Sequence, residues 1–130
     1  MTRGERNNNP GNIRFVRGVT WIGQSTDQTD PQFVQFTDPL YGIRAIARIM
    51  RSYKRQGLNT LGDAIDRWAP PNENNSQAYV DDVCMRCDKA ADETVDFDDI
   101  MTGLVKAIIF HENGEVTYSY DEIKIGIGLA

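Results

Sequence analysis

Apolar residues recur in two different rhythms along the 130-residue chain. Between positions 14 and 36 they come as short runs, Phe15-Val16, Val19 to Ile22 and Phe33 to Phe36, separated by Gly18, Gly23 and the stretch from Asp27 to Pro31. Short β-prone runs punctuated by turn formers predict a hairpin or small antiparallel sheet. From Asp38 onward the spacing becomes helical. Asp38 is a natural N-cap with Pro39 at the first helical position, and Leu40, Ile43, Ile46, Met50 and Tyr53 follow on one face until Gly57. Thr60 caps a short helix that Pro70-Pro71 must stop. Ser76 is expected to cap a third, with Tyr79, Val80, Val83, Cys84 and Cys87 inside. Asp96 is expected to cap the most regular one, whose stripe of Phe97, Ile100-Met101, Leu104-Val105 and Ile108-Ile109 ends at Asn113-Gly114. Asp121 opens a last short helix through Ile127. The expected fold class is therefore α+β, mainly α: a small N-terminal β element, then four or five helices, in one domain spanning 1–130.

Composition narrows the function classes. A formal net charge of −5 argues against a nucleic-acid partner, which needs Lys and Arg to replace phosphate counterions. The charge is lopsided: Arg3, Arg6, Arg14 and Arg17 crowd the start, and most acids come later. The absence of an apolar run of about 18 residues argues against membrane insertion, and the start lacks a signal peptide's apolar region. Synthesis in a cytoplasm is expected. Cys84 and Cys87 read as small half-buried residues, because His111 is the sole histidine and no second cysteine pair exists for zinc. No nucleotide-binding glycine loop, Ser/His/Asp triad or paired-histidine motif occurs, so neither a cofactor nor a metal is expected.

Three clusters can carry chemistry. Glu112 lies about 40° from Ile108 and about 20° from Val105 on a helical wheel, so it continues the apolar stripe. It also sits in the last turn, where the helix end disfavours a carboxylate. Both effects favour the protonated carboxyl that general-acid cleavage of a glycosidic bond requires. The alternative is a frayed end with Glu112 in water. His111, beside the stripe, reads as a hydrogen-bonded core histidine. The second cluster, Asn7, Asn8, Asn9 and Asn12 around Pro10-Gly11, offers amides suited to hydroxyls and N-acetyl groups, or else Asx turns that bridge their own backbone. The third joins Trp68 to Pro70-Pro71, Glu73 and Asn74: a sugar platform, or a buried helix-ending Trp before a capped loop. Trp21 with Gln24 poses the same choice. The acidic stretch 92–99 is either a solvated helix start or a partner-binding surface.

Arg3-Gly4 with Arg6 to Ile13, Tyr41 to Ala45, Arg67 to Pro71 with Glu73-Asn74, and His111 to Gly114 together resemble a family of small phage and prophage proteins labelled virion or structural proteins. That family looks related to lysozyme-like, murein-degrading enzymes. The resemblance implies a lysozyme-like fold, a peptidoglycan glycan strand as substrate, other virion proteins as partners, and action on the cell wall after lysis, export or within a virion. It implies Glu112 as the catalytic acid. Glu5, four residues before Asn9-Pro10, also mimics the Glu-Ser-x-x-Asn-Pro spacing of lytic transglycosylases, with Arg6 in place of the serine, and is a second candidate. Asp30 and Glu73 are the candidates for a second carboxylate. A non-catalytic virion or glycan-binding protein on the same scaffold is the competing expectation.

Overall fold

The computed structural model describes residues 1–70 and 75–130, and six helices occur among them. These are α1 (Arg3–Arg6), α2 (Pro39–Arg55), α3 (Leu61–Trp68), α4 (Ser76–Cys87), α5 (Met101–Asn113) and α6 (Tyr120–Gly128). None is long and apolar enough to cross a membrane.

Capping chemistry sets most of the boundaries. Asp38 accepts from the Leu40 amide with Pro39 at the first position, and Thr60 accepts from Asp63. Ser119 and Glu122 form a reciprocal box at α6, one residue ahead of the expected Asp121 start. Thr2 and Glu5 do the same for α1, a helix that no apolar stripe announced. Asn75, not Ser76, caps α4 by accepting from the Ala78 amide. Asp96 does not cap α5, which begins at Met101 with no side-chain cap. The Asp96 carboxylate is drawn instead to Lys54 of α2, at 2.9 Å, and residues 97–100 form turns. Phe97 is still fully buried, so its apolar anchor survives the loss of helix. Gly114, at φ 79°, terminates α5 where Asn113-Gly114 predicts the stop.

The core is one continuous cluster. In it α2 packs on α5 and α6, and α4 packs between α3 and α5. Gly42 lets the N-terminal loop lie directly on α2, since a Cβ there would stand 2.1 Å from the Asn8 carbonyl oxygen.

The expected β element does not form, so the chain is all-helical rather than α+β. Among the described residues there is no strand or sheet, only two isolated bridges, Arg14 with Phe33 and Gln24 with Phe36. The reason lies in where side chains and backbone groups go. Val34 and Phe36 turn into the core, but Phe15, Val16, Val19 and Ile22 stay exposed, with Ile22 at 60%. They bury no common face, which a stable hairpin requires. Side-chain amides take over much of the ladder's role: Gln28 bonds to the backbone of Ser25 and Gln35, and Asn9 donates to the carbonyls of Ile13 and Val34. Residues 14–36 are thus an ordered loop held by amides.

Candidate functional site

The end of α5 delivers Glu112 to the wall of a cleft of about 340 Å³. The N-terminal loop supplies Gly11, Asn12, Ile13 and Arg14 to the same cleft, and Phe33 joins them. Ile49 comes from α2, and Arg67, Trp68, Ala69 and Pro70 come from the end of α3. Gly11 is required for this closeness: a Cβ there would meet Ile46 at 2.8 Å and the Trp68 ring at 3.1 Å.

Glu112 is half-buried, and both its oxygens accept hydrogen bonds. Asn12 Nδ2 donates to Oε1 at 3.0 Å, and the Tyr79 hydroxyl donates to Oε2 at 2.9 Å. Tyr79 in turn accepts from the indole N–H of Trp68 at 3.1 Å. Burial, with the adjacent Glu112 charge and the hydrogen bond to it, pushes the Tyr79 phenol far up, so it remains a proton donor throughout the working pH range. His111 stacks on the Tyr79 ring, with centroids 3.8 Å apart, and its Nδ1 lies 3.0 Å from Asp82. It is exposed, not the expected core histidine, because the ring occupies the interior face beside it.

The candidate residues divide. Asn12, Trp68 and Glu112 come together in the cleft. Asn7, Asn8 and Asn9 do not line it, because their amides are used within the loop, by backbone groups for Asn8 and Asn9 and by side chains for Asn7. Asn9 is fully buried: Oδ1 accepts from the Ile13 amide, and Nδ2 donates to the Ile13 and Val34 carbonyls. Asn7 is bound to Asp30 and Gln35, and Asn8 to the Phe36 carbonyl. Asn8 and Asn12 adopt φ of 52° and 49°, the left-handed backbone that asparagine tolerates better than most residues.

Glu5 also lies off the cleft lining. Its oxygens accept from the Thr2 amide and the Thr117 hydroxyl, which hold its carboxyl below the usual range. Asp30 is committed to Arg3 at 2.7 Å and to the Gln32 and Phe33 amides, and the Arg3 guanidinium is the first reason that its carboxyl is held far below the usual range. Trp21 and Gln24 close a turn on each other, with the Trp21 amide donating to Gln24 Oε1 at 3.1 Å, and neither lines the cleft. Glu73 and Asn74 lie outside the described residues. Cys84 and Cys87 are free and half-buried, and burial pushes the Cys87 thiol up to about 11. Tyr79 was legible only as an inward-facing residue of α4. The signal that could have singled it out is its hydroxyl, which needs a partner when buried.

Fold and site together define a small helical protein with a cleft walled by one glutamate and two arginines. No family model matches the chain. It is 39% identical over 127 residues to "Protein P5" of Pseudoalteromonas phage PM2, a match covering 95% of this chain and 79% of that protein. The chain belongs to that phage protein family.

Proposed function

We propose that the chain cleaves the glycan strands of peptidoglycan, with Glu112 as the acid and base. The observation that carries this reading is the carboxyl on the cleft wall, reached by Asn12 from one side and backed by Tyr79 and Trp68 on the other. A protonated Glu112 gives its proton to the glycosidic oxygen as the bond to the anomeric carbon breaks. The resulting carboxylate takes a proton from the muramyl hydroxyl of the same sugar as that oxygen closes on the anomeric carbon, leaving a 1,6-anhydro end. Glu112 is the one carboxylate among the described cleft residues. Two-carboxylate hydrolysis needs a partner at roughly 5–10 Å. Intramolecular attack needs none, and the lytic transglycosylase reaction is the form proposed here.

Arg14 and Arg67 add support for murein as the substrate. They place two guanidinium groups on the cleft wall of a protein of net charge −5, which suits a strand carrying anionic peptide stems. The resemblance of the chain's motifs to murein-degrading enzymes points the same way. A second reading, a non-catalytic glycan-binding virion component, draws on the engagement of both Glu112 oxygens by Asn12 and Tyr79.

Digestion of purified murein by wild type and Glu112→Gln, with products weighed by mass spectrometry, separates the two. Anhydromuramyl ends from wild type and a loss of about 100-fold or more in the variant are expected. Strand binding without products from either protein would sink the enzymatic reading, and reducing ends would replace transglycosylation with hydrolysis.

A further inference from the structure

Three oxygens crowd the backbone of Gly4 in α1: the Asn9 carbonyl, Asn12 Oδ1 and Asn113 Oδ1 all lie within 3.1 Å of the point that a Cβ on Gly4 would occupy. Two of them are satisfied. The Asn9 carbonyl accepts from the Asn12 amide at 3.0 Å, and Asn113 Oδ1 accepts from the Thr2 hydroxyl at 2.6 Å. Asn12 Oδ1 is buried and accepts nothing. A buried acceptor left without a donor is destabilising, and an amide oxygen that shares so crowded a point with two other acceptors stands where an N–H would be better placed.

Asn113 cannot relieve this, because its own Nδ2 is held by the carbonyls of Pro10 and Ile109 at 2.8 and 2.9 Å. Asn12 can. Turning its amide over would point Nδ2 at the Asn9 and Asn113 oxygens and Oδ1 at Glu112. That orientation requires a hydrogen on Glu112 Oε1. Tyr79 decides which oxygen receives it: the Trp68 indole, which can only donate, occupies the phenol as an acceptor, so the single phenol hydrogen goes to Oε2. A proton arriving at Glu112 therefore belongs on Oε1, opposite Asn12.

We propose that Asn12 is a proton-coupled positioning residue, presenting Nδ2 to ionised Glu112 and turning over to present Oδ1 when Oε1 is protonated. The coupling belongs to the pair itself. Its use, holding the proton on Oε1 until a glycosidic oxygen takes it, rests on the glycan-cleaving reading. The other ionisable groups around the pair are these. Arg14 and Arg67 line the cleft, His111 and Asp82 pair behind the Tyr79 ring, and Glu5 is bound to Thr2 and Thr117.

The test is the nuclear Overhauser contact between the Asn12 side-chain amide and the Gly4 α-hydrogens in the labelled full chain. The amide signal is identified by its loss in Asn12→Gly, a change that suits the left-handed backbone there. In wild type at neutral pH the contact is expected to be absent, and it should emerge when added acid protonates Glu112. In Glu112→Gln it should be present at neutral pH. There Tyr79 needs an oxygen opposite it, so the NH2 of the new side-chain amide is sent toward Asn12. That variant decides the matter even if acid unfolds the wild type. A contact absent from Glu112→Gln, or already present in neutral wild type, overturns the proposal. Strand cleavage is not read, so the result is independent of whether murein is cut.

Discussion

The loop around Asn7 to Asn9 and the seam between α4 and α5 both bury polar side chains, but they close their hydrogen bonds in opposite directions. Asn9 spends all three of its bonds on loop backbone, at Ile13 and Val34, and is sealed from solvent. In the seam, Trp68, Tyr79 and Glu112 bond to one another, and the chain of bonds ends at a cleft. The first arrangement leaves nothing for a ligand and everything for the fold. The second keeps a carboxyl on the wall of an open cleft. Residue type does not distinguish them, since Asn12 stands three positions from Asn9 and bonds to Glu112. What distinguishes them is whether an amide's partners lie within the loop, as for Asn7 to Asn9, or on the cleft wall, as for Asn12.

The largest effect expected from this contrast comes from Asn9→Leu. The change removes three buried hydrogen bonds and leaves the Ile13 amide and the Val34 carbonyl without partners, while the Ile13 carbonyl keeps the Val34 amide; each orphaned group costs about 1–3 kcal/mol. A loss of about 3 kcal/mol or more in urea unfolding is expected. If Asn9→Leu folds with wild-type stability but loses strand binding, the loop is part of the groove and the contrast collapses.

Tyr79→Phe should show the reverse pattern. The ring still packs under His111, so the stability cost is about 1–3 kcal/mol, that of the two hydrogen bonds the hydroxyl makes with Glu112 and Trp68. Murein cleavage should fall about 10-fold or more, because Glu112 Oε2 loses its donor and the carboxyl its fixed orientation. Substrate binding should change little. Equal losses in binding and turnover would instead make Tyr79 a wall of the groove.

The same contrast explains what the sequence could and could not tell. Asp38-Pro39, Thr60 and Asn113-Gly114 declare their helix ends through local capping chemistry, and the structure follows them. Thr2 and Glu5 carry an equally local signal, the capping box, which the four-residue length of α1 hid among turn formers. Phe15, Val16, Val19 and Ile22 have strand propensity but no partner strand, a fact that depends on residues far away. Asp96 was drawn off its capping position by Lys54, more than forty positions earlier. In the site, Glu112 was legible because helical phase is local. The inward turn of Asn7 to Asn9 was not, since it is decided by the carbonyls at positions 34 and 36 and by the side chains of Asp30 and Gln35.

Lys54 supplies the smallest effect and a control for the other two. Its ammonium contacts Asp96 and Asp98 at 2.9 Å each, nearly as many polar contacts as Asn9 makes, but all three side chains are about two-fifths exposed. In water the gain from pairing is offset by the hydration each ion gives up and by the ordering of a long side chain, and added salt screens what remains. Lys54→Ala should therefore leave the urea midpoint within experimental error of wild type, with any residual difference vanishing as salt is raised. It should also leave murein cleavage unchanged, since α2 presents Lys54 away from the cleft lining. A destabilisation comparable to that of Asn9→Leu would mean that the number of bonds, not their enclosure, governs stability here. The distinction between sealed loop and open seam would then lose its physical basis.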